Sequence, residues 1–299
     1  MSDVYLRAVG PRKAVAMTSF GTEILRKELF QPPPIQVLNE DAPGFAFLAP
    51  DGARRMPAQL WNGRRTDAAP LRYVIYFHGN ATNVGELAPY AREWARELQA
   101  RLLLPEYPGY APGVGDEPAR TNPSDMWSIA RVGPAAVQYA QQWISEQSDA
   151  SEWQLFIVGR SLGAVPALAG ALRAASATLS GVILFSAFAS ARELVKDYTF
   201  SLGSAFVADR MRNVDAVRAL VAPLLIVHGT ADTLVAPRHA RLLRNAAQEA
   251  VPLTVKLLDG ATHNSYLPSW PTLVDLNELS SQAQELRAQA SAADTQSSE

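Results

Sequence analysis

Three residues of this 299-residue sequence have the types and chain order needed to activate a hydroxyl. They are Ser161 in Gly159-Arg160-Ser161-Leu162-Gly163, Asp232 in His228-Gly229-Thr230-Ala231-Asp232, and His263 in Gly260-Ala261-Thr262-His263-Asn264. A serine hydroxyl is a weak nucleophile at neutral pH and needs a base within hydrogen-bond reach. That base in turn needs an acid to orient it and to stabilise its cationic form. The order serine, acid, histidine suits Ser161 as nucleophile, Asp232 as the orienting acid and His263 as the general base. Taken singly, Asp232 could simply cap the helix that starts near Pro237, and His263 could be an ordinary loop histidine. Taken together with the serine pentapeptide, in this order, they read as a catalytic set.

The pentapeptide gains its meaning from what flanks it. The apolar run Leu155-Phe156-Ile157-Val158 precedes it and the alanine-rich stretch Ala164 to Ala177 follows it, so Ser161 falls on a strand-to-helix turn. Such a nucleophile elbow thrusts the hydroxyl into a cleft, and side chains at 159 or 163 would collide with the adjoining strand and helix. Gly159 and Gly163 remove the collision. An acyl-transfer site also needs two backbone donors for a developing oxyanion. The Leu162 amide follows the nucleophile and supplies one. The run Val74-Ile75-Tyr76-Phe77-His78-Gly79-Asn80-Ala81 carries a strand into a glycine-containing turn and offers the Asn80 amide as the second, with Ala81 as the fallback. His78 and His228 stand at strand ends and are read as loop-tying hydrogen-bonders, His239 as solvated helix surface, Ser186 as a pocket wall and Asn264 as shaping the His263 loop. Asp259 lies too close in sequence to His263 to pair with it. No cluster has metal-ligand spacing, and the chemistry requires no cofactor.

These residues must be placed by a sheet. From Pro70 to Leu258, short aliphatic runs alternate with helical segments, the pattern of parallel strands joined by crossover helices. Strands are expected at Arg72 to Phe77, Arg101 to Glu106, Gln154 to Val158, Val182 to Phe185, Leu224 to Val227 and Thr254 to Leu258. Helices are expected at Glu86 to Leu98, Pro134 to Gln147, Gly163 to Ala175, Pro237 to Ala247 and Leu273 to Arg287. Phe45 to Leu48 and Pro57 to Trp61, around Asp51-Gly52, read as an antiparallel hairpin at the sheet edge. Asp232 and His263 then each follow the carboxyl end of a parallel strand, where sheets of this kind build their sites. Residues 1–34 form an extension closed by Pro32-Pro33-Pro34, and 35–287 form the catalytic domain. A lid-like insertion is expected at 187–213, which mixes Phe188, Tyr198, Phe200 and Phe206 with charges. The polar tail 288–299 is expected to be disordered.

Composition narrows the function classes. The 27 Lys and Arg nearly balance 29 Asp and Glu, for a formal charge of -2, so there is no electrostatic footprint for nucleic acid. There is no cysteine, which excludes disulfides, a cysteine nucleophile and thiolate metal sites on this chain. No apolar run approaches the roughly 20 residues that span a bilayer, and the first residues show neither a secretory nor a lipidation signal. The expectation is a cytoplasmic protein with at most peripheral membrane contact and no nucleic-acid partner.

Five segments together carry a resemblance: Phe77-His78-Gly79-Asn80-Ala81, Glu106-Tyr107-Pro108-Gly109-Tyr110, Gly159-Arg160-Ser161-Leu162-Gly163, His228-Gly229-Thr230-Ala231-Asp232 and His263-Asn264. With these the chain resembles, from about residue 25 to residue 285, the α/β-hydrolase-domain proteins of the depalmitoylase (seventeenth) subgroup and their yeast and bacterial relatives. Leu29-Phe30-Gln31-Pro32-Pro33 is similar to the segment before the hydrolase domain there. The resemblance implies the α/β-hydrolase fold: a mostly parallel sheet of about eight strands with helices on both faces. It also implies a serine hydrolase cleaving ester or thioester bonds through an acyl-enzyme on Ser161, an acyl-protein thioesterase or a lipid or carboxyl esterase, with a small-molecule or acyl-protein substrate. A serine peptidase, an acyltransferase and a non-catalytic binding protein of the same fold remain the alternatives. Two departures stand out. The acylated cysteine cluster of the depalmitoylases has no counterpart here, and residues 111–133, including Met126-Trp127, look longer than the matching loop.

Overall fold

In the computed structural model the apolar runs form eight strands: β1 (Phe45–Leu48), β2 (Met56–Asn62), β3 (Leu71–Phe77), β4 (Arg101–Pro105), β5 (Trp153–Arg160), β6 (Leu179–Phe185), β7 (Leu224–Gly229) and β8 (Leu253–Leu258). The helices are α1 (Val84–Leu98), α2 (Met126–Ser145), α3 (Ala164–Ala171), α4 (Ala191–Thr199), α5 (Asn213–Ala219), α6 (Arg238–Ala246) and α7 (Leu276–Gln296). The structure describes residues 45–48, 56–63, 70–108, 110, 126–147, 149–199 and 211–296. The expected extension 1–34, the Asp51-Gly52 turn and the 200–210 part of the lid-like insertion lie outside the described residues.

All eight strands join one sheet in the order β1-β2-β4-β3-β5-β6-β7-β8. The β1–β2 hairpin is antiparallel and docks antiparallel onto β4, as expected of an edge, while β4, β3, β5, β6, β7 and β8 run parallel. Because side chains alternate along a strand, each central strand feeds two cores. Tyr73, Ile75 and Phe77 of β3 and Leu155 and Ile157 of β5 face one core, shared with α2 and α3. Val74, Tyr76, Phe156 and Val158 face the other, against α1 and Trp270. Burial on both faces explains why these strands read as continuous apolar runs.

Where the elements differ from the sequence reading, local propensity or packing accounts for it. Helix α2 begins at Met126, so Met126 to Gly133 opens that helix and is not loop. It runs through Pro134, and the preceding Gly133 lies against α3 so closely that a Cβ there would sit 1.9 Å from the Pro166 carbonyl oxygen. Helix α7 continues past Arg287 through most of the tail expected to be disordered. Ala288, Ala290, Ala292 and Ala293 have the highest helix propensity and sustain it without burial. The start of the lid-like insertion is well packed: Phe188 is buried, Asn213 donates to its carbonyl at 2.9 Å, and α4 follows.

His239 corrects the expectation of a solvated residue, for it is fully buried on α6. Its Nδ1 accepts from the Ala189 amide at 3.0 Å and its Nε2 donates to Asp197 of α4 at 2.9 Å. Arg238 binds Asp197 and Glu193 beside it, so α4 is clasped to α6. Burial lowers the His239 pKa to about 4, against the opposing pull of Asp197. The unfolded chain, with an ordinary value near 6.5, binds this proton first. Stability from this group is therefore complete above pH ~6.5 and falls as pH drops towards ~4, by about 3 kcal/mol. Urea unfolding at those two pH values should show this loss in the wild type and a markedly smaller one in His239→Gln. Parallel pH dependence of the two proteins would refute it.

Candidate active site

The site is built where the strand order reverses. The chain passes from β3 outward to β4, then crosses back to β5 on the other side of β3, so the connections leaving β3 and β5 at their carboxyl ends run in opposite directions along the sheet. Register keeps those ends level: Phe77 pairs with Gly159, Arg160 with Phe185, and Phe185 with Val227. The loops carrying His78 to Ala81, Ser161, Ser186, Asp232 and His263 therefore emerge on one edge.

Ser161 follows β5 directly with φ +53°, a left-handed conformation that costs a non-glycine residue about 1 kcal/mol or more. The neighbouring glycines are sterically required. A Cβ at Gly163 would lie 2.1 Å from the Phe77 carbonyl oxygen, and one at Gly159 would lie 2.7 Å from both the Ala167 Cβ and the Gly163 carbonyl oxygen. Leu162 is within the 3-10 turn Ser161–Gly163 that leads into α3, so its N–H is among the donors a helix start leaves unused. Asn80 and Ala81 sit in the turn after β3, with Ala81 at φ +54°.

The structure brings Asp232 and His263 together. His263 Nδ1 and Asp232 Oδ2 are 2.8 Å apart, and both side chains are largely buried. Asp232 is held on every side: Oδ1 accepts the amides of Leu234 at 3.0 Å and Val235 at 2.9 Å, and Oδ2 also accepts the Ser186 hydroxyl at 2.7 Å. His228 Nε2 donates to the Val235 carbonyl at 2.8 Å and lies 3.4 Å from Oδ2. Burial alone would push the Asp232 carboxyl up. The nearness of His228 and the bonds from His263 and Val235 overcome it and hold the carboxyl well below the usual range. It is an anion throughout the neutral range. Among the described residues the Ser161 hydroxyl forms no hydrogen bond, so Ser161 and His263 are not linked to one another; in hydroxyl-activating sites such links commonly tighten only with substrate.

Other residues around the site escaped the sequence reading. Ser186, read as a pocket wall, hydrogen-bonds Asp232 and the Tyr266 hydroxyl, and burial raises the Tyr266 pKa to about 12 so that it remains neutral. Arg160, next to Ser161 in the chain, reaches the His263 carbonyl at 3.4 Å and the Asn264 side chain. It thereby ties the elbow to the histidine loop. Asp259 accepts from Thr230 at 3.1 Å, apart from His263. No spacing signal marks Ser186, Tyr266 or Arg160, because their partners come from other strands. Among the described residues no group of three His, Cys, Asp or Glu could hold a metal, and no helix is long and apolar enough to cross a membrane.

An eight-stranded, mostly parallel sheet with helices on both faces, a serine elbow at the strand-order reversal and an Asp–His pair in the loops after the last two strands defines an α/β-hydrolase-fold protein. Solved structures agree on the fold. An esterase from Pyrococcus furiosus is similar over 87% of this chain and 99% of its own, with a TM-score of 0.56 and 12% identity. A butyrate-bound esterase from Thermogutta terrifontis covers 76% of this chain and 87% of its own, at 0.53 and 18% identity. A puromycin-hydrolyzing peptidase from Mycobacterium tuberculosis covers 82% of this chain and 40% of its own, at 0.56 and 15% identity.

In sequence the chain resembles the α/β-hydrolase domain-containing proteins 17. It is 27% identical over 200 residues to protein 17B of Xenopus laevis, covering 64% of this chain and 61% of that one. To protein 17C of Mus musculus it is 24% identical over 201 residues, 66% of this chain and 56% of that one. The chain thus matches about three fifths of the length of these relatives. No family model matches it.

Proposed function

We propose that the chain is a serine hydrolase that cleaves ester or thioester bonds through an acyl-enzyme on Ser161. The observation that carries this is the His263–Asp232 pair at 2.8 Å on the same sheet edge as the Ser161 elbow. In the cycle, Ser161 Oγ attacks the substrate carbonyl carbon while His263 Nε2 takes its proton, and the oxyanion accepts from the Leu162 and Asn80 amides. Collapse breaks the bond to the alcohol or thiol, which leaves with the proton from His263. Water then gives a proton to His263 and attacks the acyl carbon. Breakdown releases the carboxylic acid, and Ser161 recovers its proton.

Support for an ester or thioester as substrate comes from the likeness to the proteins 17 and from the esterase names of structural neighbours. An acyl-protein thioester or a lipid or carboxyl ester fits this reading, with the protein in the cytoplasm and in peripheral membrane contact at most. A panel of matched p-nitrophenyl acyl esters, acyl thioesters and aminoacyl amides tests it. Esters or thioesters should exceed the amides in kcat/KM by more than about tenfold, or 1.4 kcal/mol in barrier. Turnover of aminoacyl amides alone would replace the reading with a peptidase, and acyl transfer to added alcohol in preference to water would replace it with an acyltransferase.

A further inference from the structure

The turn between β3 and α1 carries the Asn80 amide; its own bonds, from His78 Nδ1 to the Gly79 carbonyl at 2.9 Å and from the Glu86 amide to the Asn83 side chain at 2.9 Å, lie on either side of Asn80 and Ala81. Ala81 adopts φ +54°, a conformation that persists only where the surroundings enforce it. The enforcing groups come from Glu106-Tyr107-Pro108-Gly109-Tyr110 after β4. Glu106 is fully buried and straddles the turn. Its Oε1 accepts His78 Nε2 at 2.9 Å on one flank, and its Oε2 accepts the Val84 amide at 3.0 Å on the other. The Tyr107 amide donates to Oε1 at 2.8 Å, which aims the carboxylate. The Tyr107 hydroxyl donates to the His78 carbonyl at 2.7 Å, and its ring stacks on His78 at 4.0 Å between centroids. The Tyr110 hydroxyl donates to Asn80 Oδ1 at 2.6 Å, turning that side chain onto the tyrosine.

We infer that Glu106, Tyr107 and Tyr110 form a clamp that positions the Asn80 amide as the second oxyanion donor; the inference rests on the serine-hydrolase reading of the site. These are positioning residues, acting on the reaction through the backbone they hold. Among the described residues, both flanks of the turn converge on one carboxylate, and the residue whose amide is the donor is gripped through its own side chain. A donor displaced by a fraction of an ångström loses much of its worth to the transition state while leaving ground-state binding nearly unchanged.

The test pairs Glu106→Gln with the milder Tyr110→Phe, which removes one hydroxyl and leaves the ring. Expected are falls in kcat of about 10- to 100-fold for Glu106→Gln and about 3- to 10-fold for Tyr110→Phe, with KM within about threefold. The ratio of kcat for an ester to that for its thionoester should shrink in both, because displaced donors discriminate less between oxygen and sulfur; a purely structural role would not move that ratio. Amide hydrogen exchange should quicken across residues 78–84 and stay unchanged in β5 and β6. A wild type inert towards every acyl substrate would sink the hydrolase reading, and the donor role with it. Unchanged exchange and unchanged kcat in both variants would overturn the clamp while that reading stands. Equal losses across exchange, thermal stability and KM would overturn it in favour of a general structural role.

Discussion

Replacing Ser161 with alanine is expected to lower turnover by about a million-fold and to abolish covalent labelling by a fluorophosphonate, with the melting temperature unchanged. The size follows from the loss of the atom that forms the acyl-enzyme: the residual rate is that of a site holding substrate against two amide donors with no nucleophile. The unchanged stability follows from the local structure. The Ser161 hydroxyl makes no hydrogen bond among the described residues, and alanine inherits the same positive φ of 53° without adding bulk. Removing it should shift stability by less than about 0.5 kcal/mol. Side-by-side labelling and thermal melts check both halves. Undiminished labelling of a folded Ser161→Ala protein would place the reactive serine elsewhere and dismantle the proposed mechanism.

Asp232→Asn should cost about 10,000-fold in kcat with little change in KM. The four donors that converge on the carboxylate explain why an isostere fails. If the asparagine oxygen keeps the Leu234 and Val235 amides, its NH2 group faces His263 Nδ1. His263 must then present Nδ1 as an acceptor and carry its proton on Nε2, where the reaction needs a free lone pair. If the amide is flipped, its NH2 group opposes two backbone N–H donors instead. The first arrangement also sets an NH2 group against the Ser186 hydroxyl, which then has to accept where it donated. The same substitution carries a pH signature. Because the folded carboxyl is held well below the ordinary range, its stabilisation is present above pH ~4 and is lost as pH falls further. The stability deficit of Asp232→Asn should therefore narrow between pH ~4 and ~2. A kcat within tenfold of the wild type would show that Asp232 does not set the His263 tautomer.

The clasp of α4 to α6 through His239 and the clamp on the oxyanion turn have a common origin. Each joins segments distant in sequence through a buried polar group whose partners are complete only in the folded chain. Such groups are costly when left half-satisfied, so the expected effects of removing one partner are large compared with those at the exposed ion pairs of α1, such as Glu93–Arg96.

How much of this was legible in one dimension divides along a physical line. The parallel sheet was legible because strands buried on both faces must be apolar throughout, as Leu155 to Val158 are, and their boundaries moved by only a few residues in the structure. The elbow was legible because its glycines answer a steric demand between near neighbours. The meeting of Asp232 with His263 on the edge that carries Ser161 was legible because each of the three follows a strand end. What the sequence could not contain is the company these residues keep. Glu106 meets His78 across 28 residues, and Ser186 meets Asp232 across 46 and Tyr266 across 80. Those meetings depend on which strands lie side by side. Local periodicity and sterics determine elements and turns by themselves; strand order, an outcome of packing the whole chain, decided which polar groups were buried and what each of them binds.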